Sequence, residues 1–132
     1  MTVSIRRGVS DLLDDARSRL FRLSPVEAYD AQRNGGVLVD IRPPVNRETE
    51  GLIPGALVVD RNVLEWRFDP ACDARMAIAS YDLQVVIVCN EGYTSSLAAA
   101  ALHDLGVVRA TDLIGGYRAW RGCGLPTIRP PV

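Results

Sequence analysis

The chain predicts an α/β domain of one open, mostly parallel central sheet with helices on both faces. Short apolar runs occur at Val37–Asp40, where the run ends in an acidic residue, and at Val85–Val88, the pattern of strands buried on both sides. Between such runs lie stretches with helical spacing or rich in Ala and Leu, and Gly, Pro, Ser or Asp marks most junctions, so strands alternate with helices rather than with hairpin turns. The length of 132 residues holds one core and not two.

In chain order, residues 10–21 place Leu12, Leu13, Ala16, Leu20 and Phe21 near helical spacing behind Ser10 and an acidic first turn, an amphipathic helix packed on the domain. A second helix opens with Ser24 as N-cap, Pro25 at the first helical position and Glu27 in the capping-box position, and it stops at Gly35-Gly36. The strand VLVD follows, then a loop, IRPPVNRETEGLIPGA, whose prolines and glycines exclude long regular structure. Residues 57–59 read as a short second strand, VLEWRF as a turn or two of helix, and DPACDARMAIAS as a helix opened by Asp69-Pro70. The β-branched VVIV is a third strand, residues 95–105 an Ala-rich helix stopped by Gly106, ATDLI a fourth strand and GGYRAWRGCG a short last helix before a tail with Pro126, Pro130 and Pro131.

Composition excludes several functions. Hydrophobic residues make up 48% and charged residues 23%, with 15 basic against 16 acidic side chains, which disfavours disorder, nucleic acid and anionic membranes as partners. No apolar run approaches the roughly 20 residues of a membrane helix, and the charged N-terminus does not resemble a signal peptide, so the expected location is the cytoplasm. Cys72, Cys89 and Cys123 are odd in number and widely spaced, unsuited to a disulfide framework. With the single His103 they lack any close pair to begin a zinc site. No metal and no organic cofactor is implied.

Chemistry concentrates in IVCNEGYTSS, residues 87–96. In open α/β sheets ligands bind beyond the carboxyl ends of strands, where loops lead into helix N-termini. Cys89 ends a strand in this way, and Asn90, Glu91, Gly92, Tyr93, Thr94 and Ser95 lead into the next helix. Their N–H groups can curl around whatever the sulfur carries. Gly92 supplies backbone freedom and Thr94 or Ser95 an N-cap. A thiol so placed favours its reactive anion, whereas the alternative is a small buried hydrophobe. His103 falls about 12 Å along the helix from Ser95 at ~1.5 Å per residue, too far for a cysteine–histidine dyad, which removes most support for a protease or acyltransferase.

Four segments, taken in order, resemble the rhodanese family of single-domain sulfurtransferases: VLVDIR, EGLIPGA, VVIVCNEGYTSS and LIGGYRAWRGCGLP. The resemblance spans residues 24–126, leaving 1–23 as an N-terminal helical extension of the domain 24–132. It implies the rhodanese fold and an enzyme in which Cys89 carries sulfane sulfur as a persulfide between a small donor, thiosulfate or a persulfide, and a thiophilic acceptor or a protein thiol. The same resemblance implies a six-residue loop, 89–94, cradling that sulfur with its amides. Phosphatases and arsenate reductases of this fold have a loop one residue longer that ends in Arg, and neither Thr94 nor Ser95 is Arg. A non-enzymatic module that binds a protein or senses redox state through Cys89 is the other alternative.

Two departures stand out. Leu52 occupies the family's His position in the Ile-Pro-Gly turn. In the loop, Asn90 and Glu91 stand where thiosulfate-using members often carry basic residues. A carboxylate beside the sulfur opposes a dianionic donor unless it points outward, so another persulfide or a protein is the expected donor. Asp40 and Arg47 are expected to tie loops together, Arg42 to serve the substrate or that scaffold, Arg61 and Arg67 to be solvated, Tyr93 to wall the pocket, Trp66 and Trp120 to pack, and Cys72 and Cys123 to stand aside.

Overall fold

The structure, a computed structural model, describes residues 6–129. Four parallel strands, β1 (Val37–Asp40), β2 (Leu57–Val58), β3 (Val85–Val88) and β4 (Ala110–Asp112), lie in the order β2-β1-β3-β4. The central pair is in register from Val37 opposite Val85 to Asp40 opposite Val88. Six α-helices surround them: α1 (Val9–Ser18), α2 (Pro25–Arg33), α3 (Pro44–Glu50), α4 (Leu64–Phe68), α5 (Thr94–Asp104) and α6 (Gly116–Gly122). No helix among the described residues is long and apolar enough to cross a membrane.

The two-residue period of β3 divides the core. Val85, Ile87 and Cys89 face α4 and α5 together with Leu64, Phe68, Ala98, Ala99 and Leu102. Val86 and Val88 face α2 and α6 with Ala28, Tyr117 and Trp120. Both sides of the sheet are therefore sealed, which is why β1 and β3 read as continuous apolar runs. Cys89 continues the alternation one step beyond the strand and so arrives on the α5 side, at the start of the loop that leads into α5.

The capping box before α2 forms as its residues predict: Glu27 N–H donates to Ser24 Oγ at 3.2 Å and Ser24 N–H to Glu27 Oε1 at 2.9 Å. Other expectations are corrected. Helix α1 begins behind Gly8, whose N–H donates to Asp11 at 2.8 Å, and ends at Ser18, leaving Phe21 91% exposed. The expected loop after β1 contains α3, a seven-residue helix with proline at its start, where the missing N–H costs no hydrogen bond. Residues 69–80 form successive turns and no helix. Asp69 takes the first amides, those of Ala71 and Cys72, and Met76 N–H turns back to the Arg67 carbonyl at 2.8 Å. Only Met76 of this segment reaches the core cluster, so no apolar stripe holds it helical.

Trp120 is fully buried as expected, but Trp66 is 57% exposed. Leu64 and Phe68, four apart, take the inner face of α4 and turn Trp66 outward. The proline positions 130 and 131 lie outside the described residues.

Candidate active site

From β1 the chain moves to β2 on one side and then returns across β1 to β3 and β4 on the other. This reversal opens a crevice between the carboxyl ends of β1 and β3. A cleft of about 250 Å³ lies there, walled from the β1 side by Ile41, Arg42 and Pro43. Cys89, Asn90, Glu91, Tyr93 and Thr94 line it from the β3 side.

Cys89 sits at its floor, only 5% exposed. Its Sγ accepts the Gly92 N–H at 3.2 Å, a bond that strengthens as sulfur gains negative charge. The curl requires Gly92 at φ +84°, and a Cβ there would stand 2.6 Å from the Gly115 nitrogen. The helix that follows is 11 residues long with no side chain capping its first turn; the Ser96 N–H donates to the Tyr93 carbonyl at 3.1 Å, which leaves the Thr94 and Ser95 amides for an acceptor outside the helix. Thr94 and Ser95 do not act as caps. The Ser95 hydroxyl is buried on Asp112 Oδ2 at 2.7 Å, joined by Ser96 at 2.8 Å, and points away from the cleft. Tyr93 is exposed at the mouth.

Across the cleft, Asp40 and Arg42 form a buried pair. Asp40 Oδ2 accepts Arg42 Nη2 at 2.7 Å, Oδ1 accepts Nε at 3.0 Å, and Nη2 also donates to the Gly51 carbonyl at 2.8 Å. The guanidinium lies 4.0 Å from the Tyr117 ring centroid, so its charge is matched before any ligand arrives. Arg47 donates to the Arg42 carbonyl. Arg42 Nη1 and Asn90 Oδ1 are the buried polar atoms without a partner among the described residues, and both residues line the cleft.

The rim is acidic but compensated. Glu91 is 61% exposed, its carboxylate 3.6 Å from Arg118. Glu50 accepts Arg118 Nε at 3.1 Å and the Asn90 amide at 3.1 Å. The Arg118 hydrogen bond holds the Glu50 carboxyl below its ordinary value, against partial desolvation, with Asn90 assisting. Arg118 is raised in turn, chiefly by the Glu50 bond.

The model of the rhodanese-like domain matches residues 24–123. The chain belongs to the rhodanese-like family. A sulfurtransferase of Allochromatium vinosum is 36% identical over 94 residues, 71% of this chain and 79% of that one. The thiosulfate sulfurtransferase GlpE of Stutzerimonas stutzeri is 31% identical over 100 residues, 76% and 84% of the two chains. Among solved structures, a protein of unknown function from Rhodopseudomonas palustris, described as a possible tyrosine phosphatase, superposes with a TM-score of 0.84 at 35% identity, covering 96% of this chain and 98% of that one. The human single-domain sulfurtransferase TSTD1 shares the fold with a TM-score of 0.64, 24% identity and coverage of 76% and 95%.

Within this rhodanese-like fold the motif residues fall into distinct places. The Ile-Pro-Gly turn is scaffold, because Leu52, in place of His, exchanges backbone hydrogen bonds with Ile128 at 2.9 and 2.7 Å. His103 lies toward the far end of α5 on the Ala110 carbonyl, and Cys72 and Cys123 are outside the cleft. Arg61 pairs with Glu65 and Arg67 with the Ala74 carbonyl, and neither lines the cleft. Sequence reading missed Glu50, Arg118, Ile41 and Pro43 as rim residues, and Arg17, Arg22 and Asp112 behind the loop. Ile41, Glu50 and Arg118 stood inside recognised motifs; Pro43, Arg17, Arg22 and Asp112 become neighbours of the loop only on folding.

Proposed function

We propose that the protein is a sulfurtransferase in which Cys89 carries sulfane sulfur. The observation that carries this reading is the Cys89 Sγ at the crevice floor, accepting the Gly92 N–H beside the uncapped end of α5. The thiolate attacks the outer sulfur of the donor; an S–S bond forms to Cys89, and the donor's own bond to that sulfur breaks. From thiosulfate, sulfite leaves with the electron pair; from a persulfide, a thiolate leaves. A thiol or cyanide-like acceptor then attacks the terminal sulfur and returns the electron pair to Cys89, giving ping-pong kinetics.

Loop amides offset charge as it moves between donor and cysteine. Asn90, Glu91, Tyr93, Thr94 and Arg42 bound the donor, while Asp40 and Arg47 hold the β1 side in shape. Phosphatase chemistry has less support, since Ser95 takes the place of an Arg that would close the loop and its hydroxyl is committed to Asp112. The test is intact-protein mass after thiosulfate or glutathione persulfide. An added sulfur, about 32 Da, present in the parent chain and absent in Cys89→Ser, is expected. No adduct with either donor would overturn the reading and leave a binding or redox-sensing module.

A further inference from the structure

Behind the cysteine loop, two arginines from outside the family match converge on one backbone atom. Arg17 Nη2, from α1, and Arg22 Nη2, from the segment joining α1 to α2, each donate to the Gly92 carbonyl at 2.9 Å. Gly92 is also the residue whose N–H reaches the Cys89 sulfur at 3.2 Å. The two arginines are anchored differently. Arg22 is paired with the fully buried Asp112 at 2.9 and 3.2 Å, so its charge is matched. Arg17 donates Nε to Ser96 Oγ at 3.1 Å, its guanidinium carbon lies 5.7 Å from the Tyr93 ring centroid, and it has no carboxylate in ion-pair range among the described residues.

We propose that Arg17 and Arg22 are positioning residues of the sulfur site, and that the segment 9–22 is a working part of it. This rests on Cys89 being the reactive thiol. In a trans peptide the C=O and N–H point in opposite directions, so clamping the Gly92 oxygen toward α1 fixes the Gly92–Tyr93 peptide with the Tyr93 N–H turned away from α1, and holds in place the Gly92 residue whose own N–H, in the preceding peptide, meets the sulfur. Guanidinium donors also polarise the peptides they bind. Arg17 adds an unmatched, half-buried positive charge at the back of the loop. The other charges near the loop are the Arg22–Asp112 pair behind it, the Asp40–Arg42 pair and Arg47 at the β1 end, and Glu50, Glu91, Arg118 and Arg121 at the rim. Arg17 is the one without a carboxylate that bonds the Gly92 carbonyl itself, so its loss shifts the field at the loop away from anions.

The experiment uses the full chain with Cys72 and Cys123 replaced by Ser, so that only Cys89 reacts. It measures the ratio of alkylation rates by iodoacetate, an anion, and iodoacetamide, its neutral counterpart. Looser loop packing alone changes both rates together; loss of the field changes their ratio. Arg17→Met is expected to lower that ratio at least about threefold, and Arg17→Lys to hold it within about twofold of the parent, with circular dichroism unchanged in both. An unchanged ratio in Arg17→Met, or a Lys variant that falls as far as Met, would overturn the proposal. Alkylation requires no sulfur transfer, so this outcome is separate from that of the persulfide mass measurement.

Discussion

Cys89 and Glu91 stand two residues apart, and the loop sends them to different surroundings. The sulfur goes to the floor beneath the Gly92 amide, while the carboxylate goes to the rim, 3.6 Å from Arg118. Exposure screens Glu91, which relaxes its opposition to a dianionic donor without removing it. Glu91→Arg is expected to raise kcat/KM for thiosulfate on the order of fivefold, mainly through KM, with little effect on a donor of lower charge. Equal or lower turnover with thiosulfate, the fold being intact by circular dichroism, would contradict it. The loop and its cysteine were legible from strand-end position and polar sequence alone. The direction of Glu91 was not, because it depends on Arg118, which stands 27 residues later and meets the loop only through the packing of α6.

Among the elements, α6 explains why a pair of glycines accompanies the cysteine loop. Tyr117 N–H donates to the Cys89 carbonyl at 2.8 Å and Arg118 N–H to the Asn90 carbonyl at 3.2 Å, so the first turn of α6 supports the loop from below. Gly116 has φ +64°, and a Cβ there would lie 2.4 Å from the Cys89 carbonyl oxygen and 2.6 Å from the Asn90 carbonyl carbon. Helix and loop must separate to admit it. Gly116→Ala should destabilise the fold by about 2–4 kcal/mol, combining overpacking with left-handed strain, and should slow Cys89 alkylation. Urea unfolding that shifts by less than about 0.5 kcal/mol would sink this account. Helix α2 was legible because its capping box is local. Residues 69–80 were misread because the Arg67 carbonyl that claims Met76 lies outside the segment, and α3 because a short helix starting at proline, with no residue buried, looks like a loop until the polar ties of Arg47 and Glu50 hold it.

At the scale of the whole molecule, the sheet order was the least legible feature. The two longest apolar strands, β1 and β3, do take the centre, but nothing in the runs says which edge β2 and β4 occupy, and the reversal between β1 and β3 makes the crevice. Glu50 joins parts of the chain that meet there. It ends α3, bonds Asn90 of the loop and Arg118 of α6, and its carbonyl accepts the Tyr117 hydroxyl at 2.8 Å. Arg118 keeps the Glu50 carboxyl below its ordinary value of 4.5 in the folded chain, so folding favours the ionised form. That contribution is fully present above the unfolded-state value and is lost as pH falls through the lowered folded-state value. Glu50→Gln removes the proton linkage and keeps an acceptor for Arg118. The variant should be less stable than the parent at pH 7, and the gap should narrow as pH falls below about 5 and the parent's carboxylate takes up its proton. Urea unfolding along a descending pH series reads the difference directly; two curves that remain parallel throughout would show that Glu50 does not couple the rim to the stability of the fold.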